Sequence, residues 1–209
     1  MANQDAPFGF RAIGGMGSSY ETQGTSKYEI YDNVATAMFQ GDLMMMGGYN
    51  SDQPDAGSVN VQSGYVSCSV ATENVLNFGV FNGCFYIDPT TAKPTWKNYY
   101  PGSVNITTGT IDAYCYDNPQ QLYEVQASGG LTQAAMGNLI DSNTYVAGST
   151  INGHSKMELA ASVTGSGATA QWRLIRGSED PSNNDKSSAN ANWIVRLNES
   201  IYYAGVVLT

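Results

Sequence analysis

The chain has 209 residues, with hydrophobic side chains at 42% and aromatic ones at 11%, enough for a sizeable core and too many for a disordered chain. Nine Lys and Arg stand singly against eighteen Asp and Glu, a net charge of -9, which argues against nucleic acid or anionic lipid as partners. Only 13% of residues are charged, so the surface is built from neutral polar groups.

Residues 1–26 carry five glycines and no apolar periodicity, and they are expected to form an extended arm ahead of a domain at 27–209. The apolar side chains of the arm are too few to order it. Order requires its backbone to pair with a sheet edge, its own or another chain's, and pairing with a neighbouring chain is the expectation. From residue 27 onward the periodicity is that of strands. Lys27–Tyr31 alternates, as does 63–70, while Phe78–Ile87 is apolar on both sides and reads as a two-sided buried strand or hairpin. In Met44-Met45-Met46, Met45 points opposite to its neighbours on a strand. Ile111–Tyr116 and Leu122–Ala127 follow, divided by the turn Asp117-Asn118-Pro119. One helical turn is expected between Leu131 and Leu139, with Thr132 as its N-cap and Gly137 at its end. Ser155–Ala161 reads as a strand and 161–169 as a turn. Gln171–Arg176 and Trp193–Asn198 are period-2 strands flanking an exposed polar loop, Gly177–Ala191. The fold class is all-β, a sandwich or barrel of jelly-roll or Greek-key type.

Reactive constellations are weak. Cys68, Cys84 and Cys115 lie among alternating apolar residues without a metal-ligand spacing, which reads as buried free thiols. His154, the single histidine, sits in Asn-Gly-His-Ser and reads as a turn residue, with no nucleophile-elbow motif anywhere. Asp52–Asp55 and Asp180–Asp185 hold oxygen donors without the spacing of a calcium loop. Neither an enzyme activity nor a cofactor or metal is expected. Trp96, Trp172 and Trp193, with Tyr99 and Tyr100, leave open a glycan-binding β-sandwich module, which predicts aromatics coplanar on an exposed surface. No stretch approaches the ~20 apolar residues of a membrane span, and the first residues do not read as a signal peptide.

The opening, Met1-Ala-Asn-Gln-Asp-Ala-Pro-Phe-Gly-Phe-Arg11, resembles the start of tailed-phage head decoration (cement) proteins. Further stretches resemble the same group: Ala37–Asp42, Gly79–Tyr86 followed by Asp88–Thr91, Lys97–Gly102, Ala113-Tyr114 with Asp117–Pro119, and Leu122–Ala127. The likeness runs from residue 1 to about 127, and after Arg11 the sequence departs from it with Gly14-Gly15-Met16-Gly17. The resemblance implies a non-enzymatic virion protein, made in the host cytoplasm and bound to the outer capsid surface. It would be a homotrimer bridging subunits of the major capsid protein and reinforcing the head. Pro7, Phe8, Phe10, Arg11, Ile13 and Tyr20 are then the expected contact residues, since rigid aromatics beside a bidentate donor have the composition of interface anchors.

Overall fold

The computed structural model describes residues 2–16, 24–47, 65–72, 75–106, 109–164 and 170–202. Among these the protein is all-β, and every strand pairing is antiparallel. The strands are β1 (Arg11–Gly15), β2 (Ser26–Ile30), β3 (Met38–Phe39), β4 (Leu43–Met46), β5 (Cys68–Val70), β6 (Gly79–Ile87) and β7 (Pro94–Lys97). They continue with β8 (Tyr99–Tyr100), β9 (Ile111–Tyr116), β10 (Gln121–Gln126), β11 (Leu139–Ile140), β12 (Trp172–Gly177) and β13 (Asn192–Leu197). One sheet has the order β1-β10-β13-β12-β11. The second runs β2-β9-β6-β4-β5, with β7 also on β6, and β3 pairs β8 in a separate ribbon. No sheet closes into a barrel among the described residues.

The best-marked strand is β9. Ile111, Ala113 and Cys115 are buried while Asp112, Tyr114 and Tyr116 are half-buried, the period-2 pattern of a sheet with one face in a core. Its neighbour β6 does not alternate simply, because a bulge between Phe81 and Gly83 inserts one residue. The inserted residue turns the following side chains over, so Phe81, Cys84 and Tyr86 all point into the same core. Val80, before the bulge, faces the other way, beside Tyr116.

Two cores result. In the first, Tyr123, Val125, Trp172, Leu174, Trp193, Val195 and Leu197 of the first sheet meet Leu43 and Val80 of the second. The other core fills the opposite face of the second sheet with Tyr28, Met44, Phe81, Cys84, Tyr100 and Cys115. Strand β4 lies between them, with Met44 and Met46 on the second core and Met45 against the first, as alternation predicts. All three cysteines are buried free thiols, and burial pushes the Cys84 thiol up to about 12.

One expectation is met in kind and two need correction. The helical turn after Leu131 is a single 3-10 turn, Gln133–Ala135, whose N-cap residue Thr132 makes no side-chain cap hydrogen bond. Ser155–Ala161 is not a strand and forms only isolated bridges, at Leu159 with Ala127 and Ser142. The polar loop 177–191 is not simply solvated. Ser178, Asn183 and Ala191 are buried, and Lys186 donates to the carbonyls of Ser178 and Asn192, each at 2.8 Å, beneath which lies the Trp193 ring. A polar side chain can be buried when the backbone supplies its partners, and here it does.

Candidate functional site

The N-terminal segment is bound to its own chain, and this corrects the expectation of a neighbouring subunit. Asn3 Nδ2 donates to the carbonyls of Asp185 and Ala189, both at 2.8 Å. Gln4 N–H donates to Asn183 Oδ1 at 2.7 Å, and the Gln4 carbonyl accepts from Gln126 Nε2 at 2.9 Å. Residues 11–15 then pair with β10 as the edge strand of the first sheet. Amides on the 177–191 loop and on β10 thus supply the order that the arm's few apolar side chains cannot. Tyr20 lies outside the described residues.

Between these two attachments the chain passes through a tight junction. Gly9 has φ 75°, and a Cβ there would stand 2.5 Å from Ser155 Cβ and 2.7 Å from the Gly41 carbonyl oxygen. Only glycine fits that turn and that approach. The tight passage delivers Phe10 into the first core, where its ring stacks on Trp172 with centroids 4.2 Å apart. Phe10 N–H donates to the Gly41 carbonyl at 2.9 Å, and Gly41 N–H donates to the Phe81 carbonyl at 2.8 Å. Asp42 beside it is fully buried, accepts from the Phe39 N–H at 2.7 Å, and is pushed by desolvation up to about 7.

A cleft of about 240 Å³ opens at this junction, lined among others by Phe8, Arg11, Gln40, Asn82, Tyr116 and His154. Its rim is polar and held in place. Gln40 Nε2 donates to Asn82 Oδ1 at 2.9 Å, and Arg11 is ion-paired with the buried Glu124 while its guanidinium lies 4.9 Å over the Phe8 ring. Glu124 also accepts from the Ser178 hydroxyl, so a buried carboxylate fixes an exposed cation at the mouth. His154 is exposed in a turn closed by Ser149 N–H to the His154 carbonyl at 2.9 Å. Among the described residues the lining carries no carboxylate, serine or cysteine.

Of the six expected contact residues, the structure brings Phe8, Phe10 and Arg11 to the cleft. Phe10, however, is 1% exposed and belongs to the core, so it is an anchor for this chain rather than for a partner. Pro7 is half-buried. Ile13 is the extra residue of a bulge between Ala12 and Gly14, which leaves it 39% exposed on the edge strand. Sequence reasoning missed Gln40, Asn82 and Ser155 as parts of this place. Their only signal was that Gln40 and Asn82 fall inside the stretches that carry the phage resemblance.

The tryptophans separate. Trp172 and Trp193 are fully buried, whereas Trp96 is 51% exposed on β7, its ring 5.2 Å from Tyr114 and inclined by 52°. A row of three coplanar tryptophans is therefore not what this chain presents. A second, shallower depression of about 440 Å³ joins Asp88, Thr90, Lys97 and Pro101 to Ser103 and Asn105. Comparison with family models, with curated proteins and with solved structures returned no match.

Proposed function

We propose that this chain is a non-enzymatic structural protein that decorates the outer surface of a tailed-phage head by binding the major capsid protein, acting as a homotrimer. The observation that carries the reading is the convergence of the resembling stretches. Residues 8–11, 37–42 and 79–86, far apart in sequence, meet at the Gly9–Gly41–Phe81 junction and line one cleft. Three of the stretches that resemble decoration proteins thus meet in one place. In the same reading the two larger sheets, which share the first core, are the layers of a sandwich.

The contact follows from the corrected arm. The part left for a partner is a rim of Phe8, Arg11 and Ile13, the last two on an edge strand whose outer side is unpaired among the described residues. A pre-ordered rim forgoes the ordering cost of a free arm, and three copies in a trimer bind a repeating lattice at high effective concentration. The low share of charged residues suits a broad neutral contact, and the acidic balance keeps the chain away from packaged nucleic acid.

The test is co-sedimentation with shells assembled from the major capsid protein of the same genome. The intact chain should pellet with the shells, and Ile13→Asp should weaken binding by roughly tenfold, the size of one lost interface anchor. Binding that is absent, or indifferent to Ile13→Asp together with Phe8→Ala, removes the proposal.

A further inference from the structure

The face of the second sheet that enters the first core at Val80 and Tyr116 emerges into solvent past the bulge. There the strands β7, β6, β9 and β2 lie side by side, and their outward positions are fixed by register: Trp96 opposite Phe85, Phe85 opposite Asp112, and Gly83 opposite Tyr114, which is opposite Lys27. The six-membered ring of Trp96 lies over Gly83, where a Cβ would come within 2.7 Å of Cζ2 and 3.3 Å of Cε2. Glycine at 83 therefore lets the indole lie down on the sheet instead of standing off it. One side of the ring rests on backbone, Tyr114 leans against it, and half of the residue stays exposed.

Next to this aromatic plate lie a cation and a carboxylate held by fixed partners, with Glu29 opposite Asp112 on β2. Lys27 Nζ donates to Asp112 Oδ2 at 2.8 Å and lies 4.6 Å over the Tyr65 ring, and the Thr110 hydroxyl donates to Asp112 Oδ1 at 2.7 Å. Asp112 in turn holds the Lys27 ammonium above its ordinary range. From β7 to β2 the row spans three strand spacings, about 14 Å.

We infer that this surface is a carbohydrate site, in which Trp96 and Tyr114 form an angled cradle for a neutral pyranose ring and the Lys27–Asp112 pair hydrogen-bonds its hydroxyls. A sugar ring has one apolar C–H face and a rim of hydroxyls, which matches an aromatic plate bordered by a fixed donor and acceptor. Charge selects the class. The Lys27–Asp112 pair is balanced, Glu29 stands opposite Asp112 on the same face and the chain carries -9 overall, so an acidic polysaccharide is repelled while a neutral one is not. Trp96 is a plate flush with the sheet rather than a projecting knob, which suits a flat ligand better than the pocket of a protein partner.

The site can be read in the isolated chain, so failure of the capsid proposal does not touch it. Trp96 is the exposed one of the three tryptophans, and acrylamide quenching of indole fluorescence reports on it almost alone. The probes are neutral hexasaccharides of glucose, xylose and mannose, with trigalacturonate as the acidic counterpart, titrated with quenching and calorimetry in parallel. At least one neutral probe should bind and protect Trp96 from quenching, and trigalacturonate should not. Trp96→Ala should weaken binding by roughly tenfold or more, Trp96→Phe should restore part of it, and both variants should melt close to the parent. The proposal is overturned if no neutral probe binds at millimolar concentration, or if Trp96→Ala binds equally well. It also fails if sedimentation shows that Trp96→Ala dissociates an oligomer, which would make the face a contact between copies.

Discussion

The junction at Gly9 and the plate at Gly83 use the same device to opposite ends. In both, a glycine removes a Cβ so that another group can come close: Ser155 and the Gly41 backbone in one case, the Trp96 indole in the other. At Gly9 the approach seals a core and places Phe10 against Trp172. At Gly83 it lays a ring on an uncovered sheet and leaves half of it in water. Close approach therefore does not by itself distinguish a structural place from a binding place; what covers the ring afterwards does. The junction should respond to mutation through stability, the plate through ligand.

The largest expected effect is at Phe10. Its truncation to Ala removes a fully buried ring from the first core and should cost about 3–5 kcal/mol in urea denaturation. An effect nearer that of a surface site would mean that the N-terminal segment does not belong to the core. Next comes pH, through Asp42 in the same junction. Its folded value, about 7, is above its ordinary 3.8, so the folded chain keeps a proton that the unfolded chain releases. The contribution is complete below about pH 3.8 and is lost as pH rises toward 7, an effect of up to about 4 kcal/mol. Glu158, also raised to about 7 by burial, acts in the same direction. Urea midpoints measured from pH 4 to 8 should fall, and Asp42→Asn should flatten most of the slope.

Gly9→Ala should destabilise by about 2 kcal/mol, combining a left-handed backbone with the crowding at Ser155. The smallest expected effect is Trp96→Ala, under about 1 kcal/mol by the same measurement, since a half-exposed ring contributes little to folding. Should Trp96 prove as costly as Phe10, the contrast between the two places collapses.

How much of this was legible in the sequence depended on whether neighbours in sequence carry the signal. β9 was legible because Ile111, Ala113 and Cys115 alternate with polar or half-buried residues, and one face of the strand is all the pattern needs. β1 was not, because Arg-Ala-Ile-Gly-Gly has neither alternation nor a bulky run; its strand state is imposed by the β10 edge and by the Phe10 anchor before it. The 177–191 loop misled because its polarity suggests water, whereas the Asn183 side chain bonds Gln4 and the Asp185 backbone N–H donates to Asn3. Trp96 and Trp172 sit in similar local surroundings, and nothing short of the cross-strand register that brings Gly83 under one of them separates their fates. The cleft was half legible: Phe8 and Arg11 stood out as anchors, while Gln40, Asn82 and His154 join them only through contacts that span the chain.

The most direct test of the central claim is an electron cryo-microscopy map of the chain mixed with shells of the major capsid protein from the same genome. The account predicts three-fold density on the outer surface, with Phe8, Arg11 and Ile13 against the shell and the Trp96 face free of it. Bare shells, or attachment through another face with residues 8–13 in solvent, would contradict it.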